Sequence, residues 1–249
     1  MSAAKGKPGK PVALASVLFS QGFGTRRDCE GLVDLGLVAV DGVRITDPSS
    51  AIHPEGVVLT VDGKPWPYRE KALIALNKPA GYECSKKPKH HAGVYSLLPA
   101  PLLRRDVQAI GRLDEDTTGL LLFTDDGQLL HRWTSPKHHV PKVYDVGCKH
   151  PVTEEQIARL LAGVVLLDDP KPVAALAAER WDGAPEDLHG LRLTLSEGKY
   201  HQVKRMLAAV SNRVEWLHRS RFGAYELPAD LAVGQWCWLS GPEQVVPPR

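Results

Sequence analysis

Cysteine is scarce and dispersed in this chain. Its four residues, Cys29, Cys84, Cys148 and Cys237, form no CxxC pair, so neither a zinc site nor a disulfide framework is indicated and buried, reduced thiols are expected. A long apolar run is missing too. Nothing approaches the roughly 18 residues that a membrane-spanning helix needs, and Met1–Lys10 lacks the apolar centre of a secretory signal. The expectation is a cytoplasmic protein with no membrane partner. Internal repeats are absent, and His90-His91 and His138-His139 are adjacent pairs, not ligands at metal-binding spacing, so no metal is expected. An excess of charge is lacking as well. The 31 Lys and Arg stand against 29 Asp and Glu, and a net of +2 argues for no partner by itself.

The distribution of charge says more than its sum. Residues 71–112 carry 8 Lys and Arg against 2 Asp and Glu, residues 196–222 carry 6 against 2, and residues 113–130 carry none against 5. Two basic stretches around an acidic centre fit a polyanion-binding cleft with a carboxylate at its floor, the alternative being solvated surface charge. The acidic centre is Gly111-Arg112-Leu113-Asp114-Glu115-Asp116-Thr117-Thr118-Gly119, followed by the apolar run Leu120-Leu121-Leu122-Phe123. A charged loop clamped onto a buried strand is where catalytic residues tend to lie.

With 249 residues, 43% hydrophobic and 24% charged, the chain can bury a core and is long enough for a small domain and a large one. Residues 1–11 hold three Lys without periodicity and read as a flexible tail. Leu14, Val17 and Leu18 share a helix face, and Thr25 with Asp28 three residues on caps a second short helix that Gly36 closes. Val38 to Ile45 alternates around Asp41-Gly42, a hairpin signal. These elements make a domain over residues 12–64, and the prolines of Pro65-Trp66-Pro67 mark residues 65–70 as a linker. From Lys71 to Arg249 strands are expected at Ala72–Leu76, Leu120–Thr124, Val143–Val146 and Leu191–Leu195. Helices should start near Gln128, after the capping pair Thr153 and Gln156, and after Tyr200. Residues 151–195, net acidic, should face away from the polyanion. Without regular βα alternation the fold class is α+β, with a mixed, mainly antiparallel sheet in the second domain.

Three segments resemble a known family. Gly111-Arg112-Leu113-Asp114 with Thr117-Thr118-Gly119-Leu120, then Lys142-Val143-Tyr144, then Glu197-Gly198-Lys199-Tyr200-His201-Gln202-Val203-Lys204-Arg205-Met206 are similar to the three motifs of the RNA pseudouridine synthases. More narrowly they resemble the branch typified by ribosomal small subunit pseudouridine synthase A. That branch also carries an alpha-L RNA-binding module first. Residues 12–64 resemble it through Thr25-Arg26-Arg27 and Val40-Asp41-Gly42, although its usual Arg-Leu-Asp-Lys opening is Pro11-Val12-Ala13-Leu14 here.

The resemblance implies that the chain isomerises one uridine to pseudouridine in ribosomal RNA, with small-subunit RNA or its precursor particle as partner. The reaction involves no redox change and no net water, so no cofactor is expected. Asp114 matches the catalytic aspartate, as nucleophile or as base. Lys204 matches its basic partner, Tyr144 and Val203 match the residues on either side of the target base, and Arg112 matches the side chain that enters the vacated stack. Thr117, Lys142, Arg205, Arg26 and Arg27 are the further candidates for substrate binding, and Asp116 is expected to be structural or substrate-positioning, not chemical. Left to themselves Lys204 would read as solvated and Arg112 as a partner of Asp116 or Glu115. Three other readings stay open: a synthase acting on large-subunit or transfer RNA, an inactive RNA-binding assembly protein, and a glycoside hydrolase with Asp114 and Asp116 as its acid pair. The last would call for aromatic platforms, and only Phe123 and Trp133 lie near. A monomer is expected.

Overall fold

Helix α1, Leu14–Ser20, buries Leu14, Val17 and Leu18 along one stripe. The computed structural model to which it belongs describes residues 10–167 and 169–248, so the expected tail lies outside the described residues apart from Lys10 and Pro11. Two compact units are present, and the first comprises the chain up to Ala72 together with Leu98–Val107. Helix α2, Arg26–Asp34, opens on a reciprocal cap in which the Thr25 hydroxyl accepts from the Asp28 amide at 3.2 Å and the Asp28 carboxylate accepts from the Thr25 amide at 2.8 Å. Its inner face adds Cys29 and Val33 to the core.

Strands β1 (Val38–Val40), β2 (Val43–Arg44), β3 (Val58–Val61) and β4 (Lys64–Pro67) form an antiparallel sheet in the order β2-β1-β3-β4. The residues expected to begin a linker are therefore an edge strand. Val61 pairs with Lys64 across the Asp62-Gly63 turn and the Tyr68 amide donates to the Val57 carbonyl, which puts Pro65 and Pro67 at the non-hydrogen-bonded positions between. A missing N–H costs nothing there. Between the prolines, Trp66 turns inward and its indole donates to the buried Gln21 side chain at 3.3 Å. The same Gln21 oxygen accepts from the Arg69 amide and from Arg105, which follows helix α3, Ala100–Arg104.

The second unit comprises Leu73–Leu97 and Gln108–Arg249. Strands β5 (Leu73–Lys78), β6 (Thr118–Thr124), β7 (Lys142–Cys148), β8 (Ala177–Arg180), β9 (His189–Leu195), β10 (Val214–Phe222) and β11 (Trp236–Trp238) stand in the order β8-β9-β7-β10-β6-β5-β11. Along this path neighbours are antiparallel except β6 and β10, which makes the sheet mixed as expected. Helices α4 (Gly127–Thr134), α5 (Glu154–Ala162) and α6 (Gln202–Ala209) follow, α5 with the predicted cap at Thr153 and α4 with one at Asp126 that the sequence reading did not name. Leu73, Ala75, Leu120, Leu122 and Phe222 pack with Trp133 of α4 in a buried cluster. Strand β5 runs two residues beyond its expected end, which brings Lys78 into the interior at 0% exposure. No helix among the described residues is long and apolar enough to cross a membrane.

Candidate active site

The acidic loop is held by its backbone. Gly111 takes φ of 76°, Leu113 is buried and its amide donates to the Cys84 sulfur at 3.4 Å, and the Thr117 amide closes a turn onto the Asp114 carbonyl at 3.1 Å. Beneath it the Lys78 ammonium donates to the carbonyls of Pro79, Glu115 and Thr117 at 2.9, 3.1 and 2.7 Å. Burial lowers the Lys78 pKa, while Cys84 and the three acids of the loop act in the opposite sense. Three carbonyls are thus satisfied by one buried cation. The side chains of Asp114, Glu115 and Asp116 are left to project from a fixed frame.

Helix α6 meets this frame from the other side. His201 starts it in the left-handed region at φ of 48°, and the Gln202 side chain accepts from the Lys199 amide at 2.8 Å. Its buried face, Val203, Met206 and Leu207, fixes the rotation that directs Lys204 toward the loop. The Lys204 ammonium lies 3.4 Å from one Asp114 oxygen, and His201 Nε2 lies 3.4 Å from the other. Its shorter bonds go to Asp116, 2.7 Å to each oxygen. Lys204, expected as the basic partner of Asp114, thus stands between two acids, and Asp116, more exposed and nearer, takes the close bonds. Burial works against the Lys204 charge, but the Asp116 hydrogen bonds and both carboxylates outweigh it and raise its pKa.

Arg112, Leu113, Asp114, Thr117, Tyr144, His201, Val203 and Lys204 line one cleft. Tyr144 is 8% exposed and Val203 4%, so each presents little more than an edge or a methyl group to the opening. Strand β7 shifts register against β10 between Val143 and Tyr144, the kind of irregularity that re-aims a side chain beside a site. A wider cavity of about 880 Å³ continues past Asp114 and Arg112 to Lys89, His90 and His91 of the basic loop. That loop is folded over Glu83, whose carboxylate accepts the amides of His90, His91 and Lys89 and is held down to about pKa 2 by those bonds. Glu115 pairs with His91 at 3.4 Å and Asp116 with Lys204, which leaves Arg112 exposed and outside any ion pair among the described residues.

Not every expected residue joins the cleft. Lys142 lines an adjoining cavity, and Arg205 instead braces the loop before α6 by donating to the Tyr200 carbonyl at 2.9 Å. Arg26 and Arg27 are exposed on α2 in the first unit, Arg26 stacked 4.7 Å above the Phe19 ring. The acidic segment 151–195 does not face wholly away, because Asp169 holds Lys199 of the cleft at 2.6 Å. Lys78, His201 and the buried Arg219 were not singled out from sequence. His201 lies inside the third motif, while the other two look like ordinary strand residues until their partners are known.

A carboxylate at a cleft floor, two cationic or protonatable neighbours and an apolar-aromatic wall agree with the motif reading, and the comparisons decide it. The pattern of the RNA pseudouridylate synthases matches residues 72–209, more than half of the chain, and that of the S4 domain matches residues 14–58. The chain belongs to the RNA pseudouridylate synthase family. An uncharacterized RNA pseudouridine synthase of Bacillus subtilis is 37% identical over 92% of this chain and 95% of its own length. Ribosomal small subunit pseudouridine synthase A of Escherichia coli is 42% identical over 80% of this chain and 84% of its own. Among solved structures, a pseudouridylate synthase superposes with a TM-score of 0.61 at 34% identity, covering 92% of this chain and 96% of that one. As a synthase of this family, the chain is an RNA-modifying isomerase with an S4 domain ahead of its catalytic domain.

Proposed function

We propose that this synthase converts one uridine of small-subunit ribosomal RNA, in the cytoplasm and as a monomer, using Asp114 as its essential carboxylate. The observation that carries the reading is the placement of Asp114 between Lys204 and His201 in a cleft walled by Tyr144 and Val203. Isomerisation breaks the bond from C1′ to N1, turns the base, joins C1′ to C5 and moves a proton from C5 to N1. No electron leaves the substrate. Whether Asp114 attacks carbon or removes a proton, it works as a carboxylate and calls for a positive charge beside it. Lys204, itself held in place by Asp116, supplies that charge.

The cleft admits a base only if the target uridine leaves its stack. Tyr144 and Val203 then flank the base, and Arg112, exposed at the cleft mouth, fills the gap and meets phosphate. The small-subunit assignment is supported by the 42% identity to an enzyme of that name and by the basic loop beside the wide cavity. Base-tritiated transcripts of small-subunit, large-subunit and transfer RNA, offered free and for the first also as precursor particles, test it. Tritium released from C5 of small-subunit RNA alone is the expected result. Release from another transcript would overturn the target and keep the enzyme.

A further inference from the structure

Beside the Asp114 cleft lies a cavity of about 380 Å³ that shares Arg112, Tyr144, Gly198 and Lys199 with it. Two cations converge there. Arg219 is 2% exposed; its Nε donates to the Leu120 carbonyl at 2.8 Å, and its Nη2 is buried without a hydrogen-bond partner. The Lys142 ammonium, 5.4 Å from the centroid of the Phe222 ring, has the Ser196 carbonyl at 3.3 Å as its hydrogen-bond partner, and the Arg219 guanidinium lies 5.5 Å from the same ring. Neither cation makes an ion pair with a carboxylate among the described residues. Burial, and then the Arg219 charge, push the Lys142 pKa down to about 8, with Glu197 opposing weakly from the same cavity wall.

A buried guanidinium with an unused donor beside a partly buried ammonium is unfavourable in isolation and well matched to an anion. We propose that Lys142 and Arg219 form a subsite for one phosphodiester of the RNA strand beside the target nucleotide. The inference rests on the RNA-synthase reading for its ligand. The anion is a backbone phosphate because the cavity opens into the cleft that receives the nucleoside, so a strand entering one must lay its linkage along the other. Ser135 and Ser196 line the same space and complete a polar rim.

The test is binding, not turnover. Affinity of the full chain for a short oligoribonucleotide with one central uridine is measured by fluorescence anisotropy, each linkage in turn being replaced by a neutral methylphosphonate. One linkage beside the uridine should stand out, its neutralisation weakening binding about tenfold. The same change should cost clearly less in Lys142→Met, which keeps the apolar stem over Phe222 and leaves only Arg219 to meet the phosphate, and the full penalty should return in Lys142→Arg. The salt slope of Lys142→Met should be shallower by about one. Equal penalties in wild type and Lys142→Met, or a flat scan, would overturn the subsite. Inorganic phosphate that shifts the Arg219 Nε–H resonance while the scan stays flat would mark a free-anion pocket and overturn the RNA assignment. A chain that passes this scan yet releases no tritium would fail the proposed function and keep the subsite, so the two failures are distinguishable.

Discussion

Lys204 divides its contacts unequally between two carboxylates, and the division assigns their work. Asp116 takes both short bonds at 2.7 Å and Asp114 lies at 3.4 Å, so on the proposed function Asp116 positions the ammonium and Asp114 keeps its oxygens for chemistry. Lys204→Met should slow tritium release by about a hundredfold or more, on the scale of losing one preorganised electrostatic partner. Lys204→Arg, which keeps a cation beside both carboxylates, should restore most of that rate. Lys142 titrates on the alkaline side. With a free-protein pKa of about 8, the affinity that depends on its charge is complete below that pH and falls as pH rises through it, whereas Lys142→Met should show no such fall. Binding measured between pH 6.5 and 9.5 checks this. Lys78→Met would remove a donor from the carbonyls of Pro79, Glu115 and Thr117, the second of which keeps the Gly81 amide. A cost of about 2–4 kcal/mol in urea unfolding is expected, together with slower turnover from a loosened Asp114.

The parallel contact between β6 and β10 depends on one glycine. A Cβ on Gly119 would lie 2.4 Å from the Arg219 carbonyl oxygen, and φ of 101° is strained for any other residue. Gly119→Ala should therefore cost about 2–4 kcal/mol in chemical denaturation and disturb Arg219 with it. Thr25→Ala, which removes one half of a cap, should cost about 1 kcal/mol. The contrast shows what could be read from sequence and what could not. Caps at Thr25 and Thr153 and the turn at Asp41-Gly42 are set by neighbours within four residues, and all were legible. The start of α6 just after Tyr200 was legible as well. Pro65-Trp66-Pro67 was misread because a proline denies one hydrogen bond, while only the partner strand reveals that its register asks for none. Arg219 and Lys78 were invisible because their acceptors lie 99 and up to 39 residues away, and no local pattern announces a cation that will be buried on a carbonyl.

The chain passes between its two units three times, since Leu98–Val107 returns to the first unit before the sheet of the second is complete. That path predicts how the molecule tolerates division. A chain beginning at Leu73 would deprive residues 98–107 of their partners, among them Gln21 and the backbone at Arg69 and Glu70 that Arg105 holds. It should unfold at lower temperature than the full chain in calorimetry, and not simply lose RNA affinity. The S4 unit is in this sense part of the fold as well as a candidate RNA contact through Arg26 and Arg27. The proposed function turns on one carboxylate presented to one uridine, and Asp114 and Asp116 are near enough in chain and space for the roles to be exchanged by mistake. The decisive measurement is single-turnover tritium release from small-subunit RNA by Asp114→Asn and Asp116→Asn, beside RNA affinity for both. Release abolished in Asp114→Asn with affinity retained, and only slowed in Asp116→Asn, is the predicted result. Release that survives in Asp114→Asn and vanishes in Asp116→Asn would contradict it.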